Sequence, residues 1–496
     1  GRDRPLGKAD KTGPFCVGKT DKTGGKTLGK TDKLCYTTFQ KGEQTMIVRS
    51  IEAELRRFFR SQEKKALLVT GARQVGKTYI IEALGRQAFS SFVRINFIEN
   101  KQARSLFEGA EDSDALLLRL SALAEEELIP GQTLIFLDEV QECKEIVTAI
   151  KFLVEEGSYR YILSGSLLGV DLKDIRSVPV GYMDVLEMYP LDLAEFAQAN
   201  GVAPRVLDAL RESFENKMPV DPVIHEKMME LFRLYLIVGG MPAAVQRYLE
   251  TKNIREVVRE QQSILTLYKR DIAKYDPENK LYLEDIFDLI PSELNAKNKR
   301  FILKDLHDNF KFDRFRNSFL WLKDAGVALP TYSVKDPVSP LLLTKTANLF
   351  KLFLSDVGLL SAMYMDGIQL KILNREQDIN FGSVYENAAA QELKAHGFDL
   401  YYFNSKKQGE VDFLVERTGQ VLPLEIKSGK DYTKHAALNN LLANPAYAIP
   451  EAYVFHNGNV SVNGKITYYP IYLMMFLEHP QLPDDLIYAP DFSALQ

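Results

Sequence analysis

The chain has 496 residues, of which 46% are hydrophobic and 26% are charged, and its formal net charge is −5. This composition is typical of a globular protein of roughly two to four domains, and no uninterrupted apolar run is long enough to span a bilayer. Only Cys143 of the three cysteines lies outside the first 45 residues. A disulfide framework and a Cys-based zinc site are thereby excluded, and we expect a cytoplasmic protein that does not contact membranes.

The first 45 residues differ in composition from the rest. They contain a near-repeat, GKADKTG, GKTDKTG and GKTDKL, that starts at Gly7, Gly18 and Gly29. A stretch rich in Lys, Gly and Thr cannot bury a core, and this one lacks the apolar segment of a secretory signal. We therefore expect residues 1–45 to be a disordered low-complexity extension. Translated upstream sequence is one interpretation of it, because Met46 is the first methionine.

Charge is distributed unevenly between this extension and the rest of the chain. The extension holds ten Lys and Arg against five Asp and Glu, so the remaining residues carry a net charge near −10. Overall charge therefore does not predict binding to nucleic acid, which would require a local basic patch.

Three segments match the phosphate-loop pattern G-x-x-x-x-G-K-[ST], at residues 13–20, 24–31 and 71–78. A working loop needs a strand before it and a helix after it, so that backbone N–H groups point at the phosphates. The first two matches lie in the Lys-Gly-Thr repeat, where composition alone produces the pattern. The third, GARQVGKT, follows the apolar run ALLVT and precedes YIIEALGRQ, whose apolar residues have helical spacing. We therefore expect ATP to bind at the third match.

Two side chains of this loop have expected roles of their own. Lys77 is expected to reach the β- and γ-phosphates of ATP, and the Thr78 hydroxyl is expected to ligate Mg²⁺. The expected nucleotide-binding residues are Gly71, Ala72, Arg73, Gln74, Val75, Gly76, Lys77 and Thr78.

A second motif, the acidic pair Asp138-Glu139, follows the apolar strand TLIFL at 133–137. We expect Asp138 to hold Mg²⁺, directly or through water, and Glu139 to act as the base that polarises the attacking water. The alternative is that both residues form an acidic cap on the helix that follows. A phosphate loop upstream of such a strand favours catalysis.

The remaining strands of this region lie at 92–96, 160–163 and 183–188. Ser164 follows the strand RYIL, and its hydroxyl is expected either to sense the γ-phosphate or to belong to a simple Ser-Gly-Ser turn. Alternation of strands and helices predicts an α/β fold with a doubly wound parallel sheet.

The motifs GARQVGKT, LIFLDEVQ, ILSGS and MYPLDLAEF together resemble the predicted bacterial and archaeal ATPases of the AAA+ class whose C-terminal half carries the domain of unknown function 4143. The resemblance continues through YLIVGGMPAAV at 235–245, FKLFLSDVGLL at 350–360 and GSVYENAAAQEL at 382–393, so it covers nearly everything after Met46. It implies a P-loop ATPase core and does not imply a defined biological role.

Many members carry a Gly-Arg pair before the fifth strand, where this chain has Gly181-Tyr182. Arg176 and Arg270 are substitutes for that arginine, and a surface salt bridge is the simpler interpretation of either.

The middle of the chain has helical patterns over 204–270, which Gly239-Gly240-Met241-Pro242 interrupts. A helix opening at Ile290, a second helix at 312–327, and a β-like pair, VALPTY and PLLLTK, together suggest a winged helix. Six basic residues would offer DNA contacts, although such segments also serve as lids on ATPases, and we favour the lid. These residues are Lys297, Lys299, Arg300, Lys304, Arg314 and Arg316.

The sequence of the C-terminal region predicts a β-hairpin with charged, potentially catalytic side chains on one face. Strands at 411–416 and 421–427 are joined by a four-residue loop, and Glu425 and Lys427 share a face because side chains alternate along a strand. Asp412 is expected to face them from the partner strand, and Glu386 to approach from a helix that packs beside the hairpin.

This arrangement resembles the restriction-endonuclease-like fold with its Asp…Glu-x-Lys, or PD-(D/E)XK, signature. Asp412 and Glu425 are expected to hold Mg²⁺, Lys427 to orient or help deprotonate the water and Glu386 to complete the metal shell. Four lysines would contact phosphates, namely Lys406, Lys407, Lys430 and Lys434. The alternative is a half-buried hairpin whose charged residues pair across the strands.

These expectations combine into four segments: an extension over 1–45, a P-loop ATPase domain over 46–200, a helical lid with a winged-helix-like part over 201–335, and a restriction-endonuclease-like domain over 336–496. The favoured function is an ATP-hydrolysing switch that controls the nuclease-like domain. The alternatives are a metal-dependent DNA nuclease gated by ATP and a regulator that binds ATP and a protein partner without hydrolysis. The oligomeric state is left open.

Overall fold

The computed structural model describes residues 47–107, 109, 112–143, 145–166, 181–275, 280–296, 319–364, 367–375, 381–480, 482 and 486–490. The extension at 1–45 with its two phosphate-loop matches, Arg176, and the six basic residues expected to contact DNA lie outside these ranges. None of the helices within them is long and apolar enough to cross a membrane.

The first layer of the fold is a parallel sheet with helices on it. Its spatial strand order is β2-β3-β4-β1-β5, and every neighbouring pair is parallel. All six residues of β3 are buried, as expected for a strand covered on both faces. The strands are β1 (Ala66–Thr70), β2 (Ser91–Asn96), β3 (Thr133–Asp138), β4 (Arg160–Ser164) and β5 (Met183–Glu187), and the helices are α1 (Ile51–Arg60), α2 (Lys77–Ala88), α3 (Ser113–Leu123) and α4 (Glu145–Glu156).

A helical segment follows this sheet. Its described helices are α5 (Leu193–Ala199), α6 (Pro204–Glu215), α7 (Pro222–Val238), α8 (Pro242–Thr251), α9 (Ile254–Tyr275) and α10 (Lys280–Asn295). Proline begins α6, α7 and α8, where the missing N–H costs no intrahelical hydrogen bond. Our expectation that a helix opens at Ile290 is wrong, because α10 begins ten residues earlier and carries Pro291 inside it. Apolar residues at helical spacing, buried from Leu283 to Leu294, continue across the proline and hold the helix by packing.

The second layer is a mixed sheet of eight strands in the order β12-β13-β11-β10-β9-β8-β6-β7. The strands are β6 (Ala328–Val334), β7 (Lys345–Leu354), β8 (Tyr401–Ser405), β9 (Gly409–Arg417), β10 (Gln420–Ile426), β11 (Ala452–His456), β12 (Ser461–Asn463) and β13 (Ile466–Pro470). The helices associated with it are α11 (Val357–Met363), α12 (Ile368–Leu373), α13 (Gly382–Ala395) and α14 (Ala436–Ala443). The fold class expected from the sequence, α/β with a P-loop sheet, a helical middle segment and a C-terminal α/β domain, is confirmed.

The pair expected to be the wing of a winged helix lies within this second sheet. β6 pairs in antiparallel fashion with β7 and in parallel fashion with β8, so the sheet extends across residue 336, the expected domain boundary. The second strand begins at Lys345 and not at Pro340, since Leu341–Thr344 is a 3₁₀-helix. Leu341 is buried whereas the next two residues, Leu342 and Leu343, are both exposed, so this apolar run lacks the alternating burial of a strand.

The predicted hairpin between β9 and β10 is present with a shorter loop. Arg417 pairs with Gln420, so the connection is Thr418-Gly419 rather than four residues. Both residues have positive φ, 49° and 75°. These values suit a type I′ turn, whose twist matches that of the flanking strands.

The Gly239-Gly240 turn, between α7 and α8, joins the two layers at very short range. A Cβ at Gly240 would lie 2.0 Å from the Leu191 carbonyl oxygen, and one at Gly239 would lie 2.2 Å from Oδ1 of Asp356. The Leu191 N–H donates to the Gly240 carbonyl at 2.7 Å, and the Gly240 N–H donates to Oδ2 of Asp356 at 2.5 Å. Only glycine allows the backbone to approach this closely.

We predict that Gly240→Ala lowers the midpoint of thermal unfolding and costs about 3 kcal/mol, because the new methyl group meets backbone that cannot rotate away. The matched control is Gly429→Ala, since a Cβ at Gly429 meets nothing within 4 Å. The control is expected to change stability by no more than about 0.5 kcal/mol. Equal midpoints for the two variants in differential scanning calorimetry would show that the close approach is not needed.

Candidate nucleotide and C-terminal sites

The third phosphate-loop match has the flanks that the pattern requires. β1 delivers the chain to Gly71, and α2 begins at Lys77. Gly71 has φ 135° and Gly76 has φ 96°, and a Cβ at Gly71 would lie 2.1 Å from the Met188 carbonyl oxygen. The loop therefore curls tightly at the end of the sheet with the N-terminus of α2 directed at it, which is the geometry of an anion-binding site.

Lys77 is folded back onto its own loop. Its ammonium group donates hydrogen bonds to the carbonyl oxygens of Gly71 at 2.9 Å and Ala72 at 2.8 Å. Burial lowers the pKa of Lys77 to about 8, although the charges of Glu139 and Asp138 oppose the change. The expected contact with the β- and γ-phosphates would replace these carbonyl contacts with charged partners.

Asp138 is the centre of a polar cluster at the end of β3. Its side chain is buried, and its oxygens accept from Thr78 Oγ1 at 3.2 and 3.3 Å and from the Ser164 hydroxyl. Arg94 donates to it from Nη2 at 2.8 Å and from Nε at 3.1 Å, and Asn96 Nδ2 donates at 3.1 Å. Five residues from β2, β3, β4 and α2 therefore meet at the carboxyl edge of the sheet.

The residues present fit Mg²⁺ at this position. Thr78 and Asp138 are hard oxygen donors in direct contact, and Mg²⁺ in P-loop sites is held by this pair of residue types. A bound Mg²⁺ would neutralise charge on the β- and γ-phosphates. Arg94 now supplies the positive charge at Asp138, and its side chain remains partly exposed. Arg94 can therefore move aside or turn toward an incoming phosphate.

Glu139 occupies a strained backbone position beside the cluster. Its φ is 59° and its ψ is 48°, in the left-handed region that non-glycine residues seldom adopt. Its carboxylate accepts from Gln141 Nε2 at 2.6 Å and caps no backbone N–H of the 3₁₀-helix Val140–Glu142 that follows. Side chains held in such conformations concentrate at functional sites. Glu139 therefore does not cap this helix through its side chain.

Three distant parts of the chain hold the loop from outside. Arg49 Nη1 donates to the Val75 carbonyl at 3.1 Å, and the same side chain forms a buried ion pair with Glu195 at 2.9 Å. From α9, Tyr268 donates to the Arg73 carbonyl at 3.1 Å, and Asp271 pairs with Arg73 at 2.6 Å. A third contact comes from the turn before β6, where a Cβ at Gly326 would lie 2.8 Å from the Ala72 nitrogen.

The structure does not supply an arginine at the position of the family's Gly-Arg pair. Tyr182 occupies it, and its hydroxyl donates to Glu155 on α4. Arg270 is exposed on α9, one residue before the Asp271 that pairs with Arg73. Arg94, which the sequence analysis did not single out, is an arginine that does contact the Asp138 cluster.

The C-terminal side chains expected to form a site do come together. Glu386 on α13, Asp412 on β9 and Lys427 after β10 line an open hollow of about 230 Å³. Asp412 Oδ2 accepts from the Ile426 N–H at 2.9 Å, and Lys427 donates to Glu425 at 2.6 Å. Burial and the charge of Asp412 raise the pKa of Glu425 to about 8, against the opposing charge of Lys427. The four lysines expected to contact phosphates, Lys406, Lys407, Lys430 and Lys434, are all exposed.

A lysine that the sequence analysis missed lies at these carboxylates. Lys351 on β7 is fully buried, and its ammonium lies 2.8 Å from Oε1 of Glu410 and 3.7 Å from Oε2 of Glu386. Across the described ranges, no three His, Cys, Asp or Glu side chains are grouped so that they could hold a metal ion. With one ammonium already inside the cluster, these residues do not fit a divalent cation as they stand.

Family models divide the chain in the way that its motifs indicate. Residues 63–197 match the model described as AAA domain. This segment is an AAA domain. Residues 381–474 match the domain of unknown function DUF4143, and residues 229–373 match a second one, DUF8612. The expected combination of an AAA+ ATPase domain with DUF4143 is confirmed, whereas DUF8612 was not expected. No curated protein matches the chain.

The solved structures that match the chain share little sequence with it. The Walker-type ATPase PABY2304 of Pyrococcus abyssi is 15% identical, with a TM-score of 0.40, and the alignment covers 64% of this chain and 96% of that one. A structure of Thermotoga maritima RuvB with a single substitution is 15% identical with a TM-score of 0.26, covering 57% and 88%. The Aeropyrum pernix ORC1 protein in complex with DNA is 15% identical with a TM-score of 0.25, covering 66% and 95%.

We predict that ATP affinity falls as the pH rises from 7.5 to 9.5. The terminal phosphate of ATP is already ionised at pH 7.5, whereas Lys77 in the nucleotide-free protein loses its proton near pH 8. Binding above that pH must therefore take up a proton, and the association constant is expected to fall up to about tenfold per pH unit. Isothermal titration calorimetry measures the association constant at each pH.

Lys77→Arg is the control for this prediction, because arginine keeps its charge throughout this range. Whatever its absolute affinity, that variant should bind ATP with no pH dependence above 7.5. A wild-type affinity that is constant up to pH 9.5 would contradict the prediction.

Proposed function

We propose that the chain is an ATP-binding and ATP-hydrolysing switch in which the nucleotide state of the AAA domain controls the C-terminal domain. The observation that carries the proposal is the set of contacts to the phosphate loop from Arg49, α9 and the Gly326 turn. Arg49 and Tyr268 donate to carbonyl groups of the loop, and the Gly326 turn lies close to the Ala72 nitrogen. A phosphate that reorders this backbone therefore changes contacts to elements outside the AAA domain.

The chemistry proposed for the site uses the residues gathered at the carboxyl edge of the sheet. Lys77 and the loop N–H groups bind the phosphates, and Thr78 and Asp138 hold Mg²⁺. Glu139, at the end of the same strand, accepts a proton from the attacking water. Ser164, hydrogen-bonded to Asp138, is in a position to report the state of the metal site to β4.

A route to the C-terminal domain begins beside the loop. The Met188 carbonyl faces Gly71, and Leu191, three residues on, is hydrogen-bonded to Gly240. The Gly240 N–H donates to Asp356, which caps α11 by accepting from the Leu359 N–H at 2.9 Å. A second branch runs from the Leu193 N–H to Glu392 on α13 at 2.7 Å. α13 also carries Glu386, so movement at the loop has a continuous path to the C-terminal hollow.

A DNA nuclease gated by ATP is the second candidate. The hollow that contains Glu386, Asp412 and Lys427 favours it, and the exposed lysines nearby would suit phosphate contacts. The ammonium of Lys351 disfavours a metal-dependent form of that activity. A protein partner in place of DNA is equally compatible with the switch.

We predict that Glu139→Gln binds ATP with wild-type affinity and turns it over at least about 100-fold more slowly, because it keeps the shape of the side chain and removes the base. Lys77→Ala is the companion variant, and it is expected to lose measurable ATP binding. Binding is measured by calorimetry and turnover by phosphate release. Unchanged turnover in Glu139→Gln would exclude Glu139 as the base. Absence of turnover in the wild-type chain, with ATP bound, would favour a regulator without hydrolysis.

A further inference from the structure

Lys351 is an unusual residue for a strand of this sheet. It lies on the edge strand β7, and its side chain is fully buried, at 0% exposure. A lysine is almost never fully buried without paired charges, because taking an ammonium out of water costs several kcal/mol. The partners that offset this cost must therefore be close and of opposite charge.

The partners of Lys351 come from three other elements. Glu410 on β9 lies 2.8 Å from the ammonium, Glu386 on α13 lies 3.7 Å from it, and the ring centroid of Tyr402 on β8 lies 5.0 Å from it. Burial disfavours the charged form, but Glu386, Glu410 and Asp412 together raise the pKa of Lys351 above its ordinary value. Lys351 therefore remains an ammonium ion inside a ring of carboxylates.

Two of these carboxylates, Glu386 and Asp412, were expected to surround Mg²⁺, whereas Glu410 was not. We propose that the Lys351 ammonium is a built-in cation that takes the place of a divalent metal at Glu386 and Asp412. Lys427, which pairs with Glu425 at 2.6 Å, supplies the second positive charge of the cluster. The two ammonium groups offset half of the charge of the four carboxylates, and any cation within a few ångströms of Lys351 is repelled in this buried setting.

The hollow keeps an arrangement of acidic residues like that of a metal-dependent nuclease, but its internal lysine stabilises the fold without metal. Its carboxylates act as partners of Lys351 and Lys427, and the hollow takes no catalytic metal. This inference does not rest on the proposed ATPase function, since neither Lys351 nor its partners touch the phosphate loop.

The test compares the melting temperature and the number of bound Mn²⁺ ions of the wild-type chain, Lys351→Met and Lys345→Met. Melting is measured in EDTA and in millimolar MnCl₂. Lys345 lies on the same strand and stacks on Tyr332 at 3.6 Å, away from the carboxylates. Removal of Lys351 leaves Glu386, Glu410 and Asp412 facing one another without their cation, so this variant should melt at a lower temperature in EDTA. Mn²⁺ should restore part of that loss, and electron paramagnetic resonance should count one more bound Mn²⁺ per chain than in the wild type. The metal site at Asp138 contributes equally to all three proteins.

The wild type and Lys345→Met are expected to show the same Mn²⁺ stoichiometry as each other and no contribution from the hollow. If Lys351→Met does not fold, the double variant Lys351→Met/Glu410→Gln removes one carboxylate together with the cation and tests the same point. Comparison of the wild type with Asp412→Asn provides an independent test. A Mn²⁺ site in the wild-type chain that Asp412→Asn abolishes would overturn the proposal, as would a Mn²⁺-induced rise in the melting temperature of Lys351→Met no larger than that of the wild type. Loss of ATP turnover in Glu139→Gln has no bearing on either outcome.

Discussion

The approach of the Gly239-Gly240 turn to Leu191 and Asp356 is the constraint on which the relation between the two layers depends. Asp356 is fully buried, and burial raises its pKa to about 6 against the hydrogen bonds that it accepts. A buried carboxylate is tolerated only when donors surround it, and these donors are the backbone N–H groups of Gly240 and Leu359. The AAA domain, the helical segment and α11 are therefore fixed to one another by backbone groups that bond to each other and to the buried Asp356 side chain.

At both candidate sites, a basic side chain balances the charge of buried carboxylates. Asp138 is balanced by Arg94, and Glu386 with Glu410 is balanced by Lys351. The difference lies in exposure: the side chain of Arg94 is 28% exposed, whereas that of Lys351 is 0% exposed. A partly exposed arginine can leave when Mg²⁺ and phosphate arrive, but a fully buried lysine cannot leave without opening the sheet. The first arrangement therefore suits a site that cycles, and the second suits a permanent structural element.

Local patterns were enough to predict most of the strands, the hairpin at 409–426, the helix of Glu386 and the strand and helix that flank the third phosphate-loop match, because each depends on apolar spacing over a few residues. Sequence reasoning failed where the deciding partner is distant in the chain. The strand pair near 330–350 joins the C-terminal sheet because β6 pairs with β8, some seventy residues away. Arg94 and Lys351 carry no motif, and their importance follows only from the carboxylates that the fold places beside them. Arg94 was nonetheless open to prediction, since it lies near the end of a strand adjacent to the one that carries Asp138.

The central claim, that the phosphate loop communicates with elements outside the AAA domain, is tested most directly by amide hydrogen exchange of Glu139→Gln with and without Mg²⁺-ATP. The contacts of Arg73 with α9 and of Leu191 with Gly240 predict altered protection in three places beyond the loop: the C-terminal half of α9, the segment around Gly240, and the start of α11. Changes confined to the loop at 71–78 and to residues near Asp138, with α9 and α11 exchanging at the same rates in both states, would contradict the account.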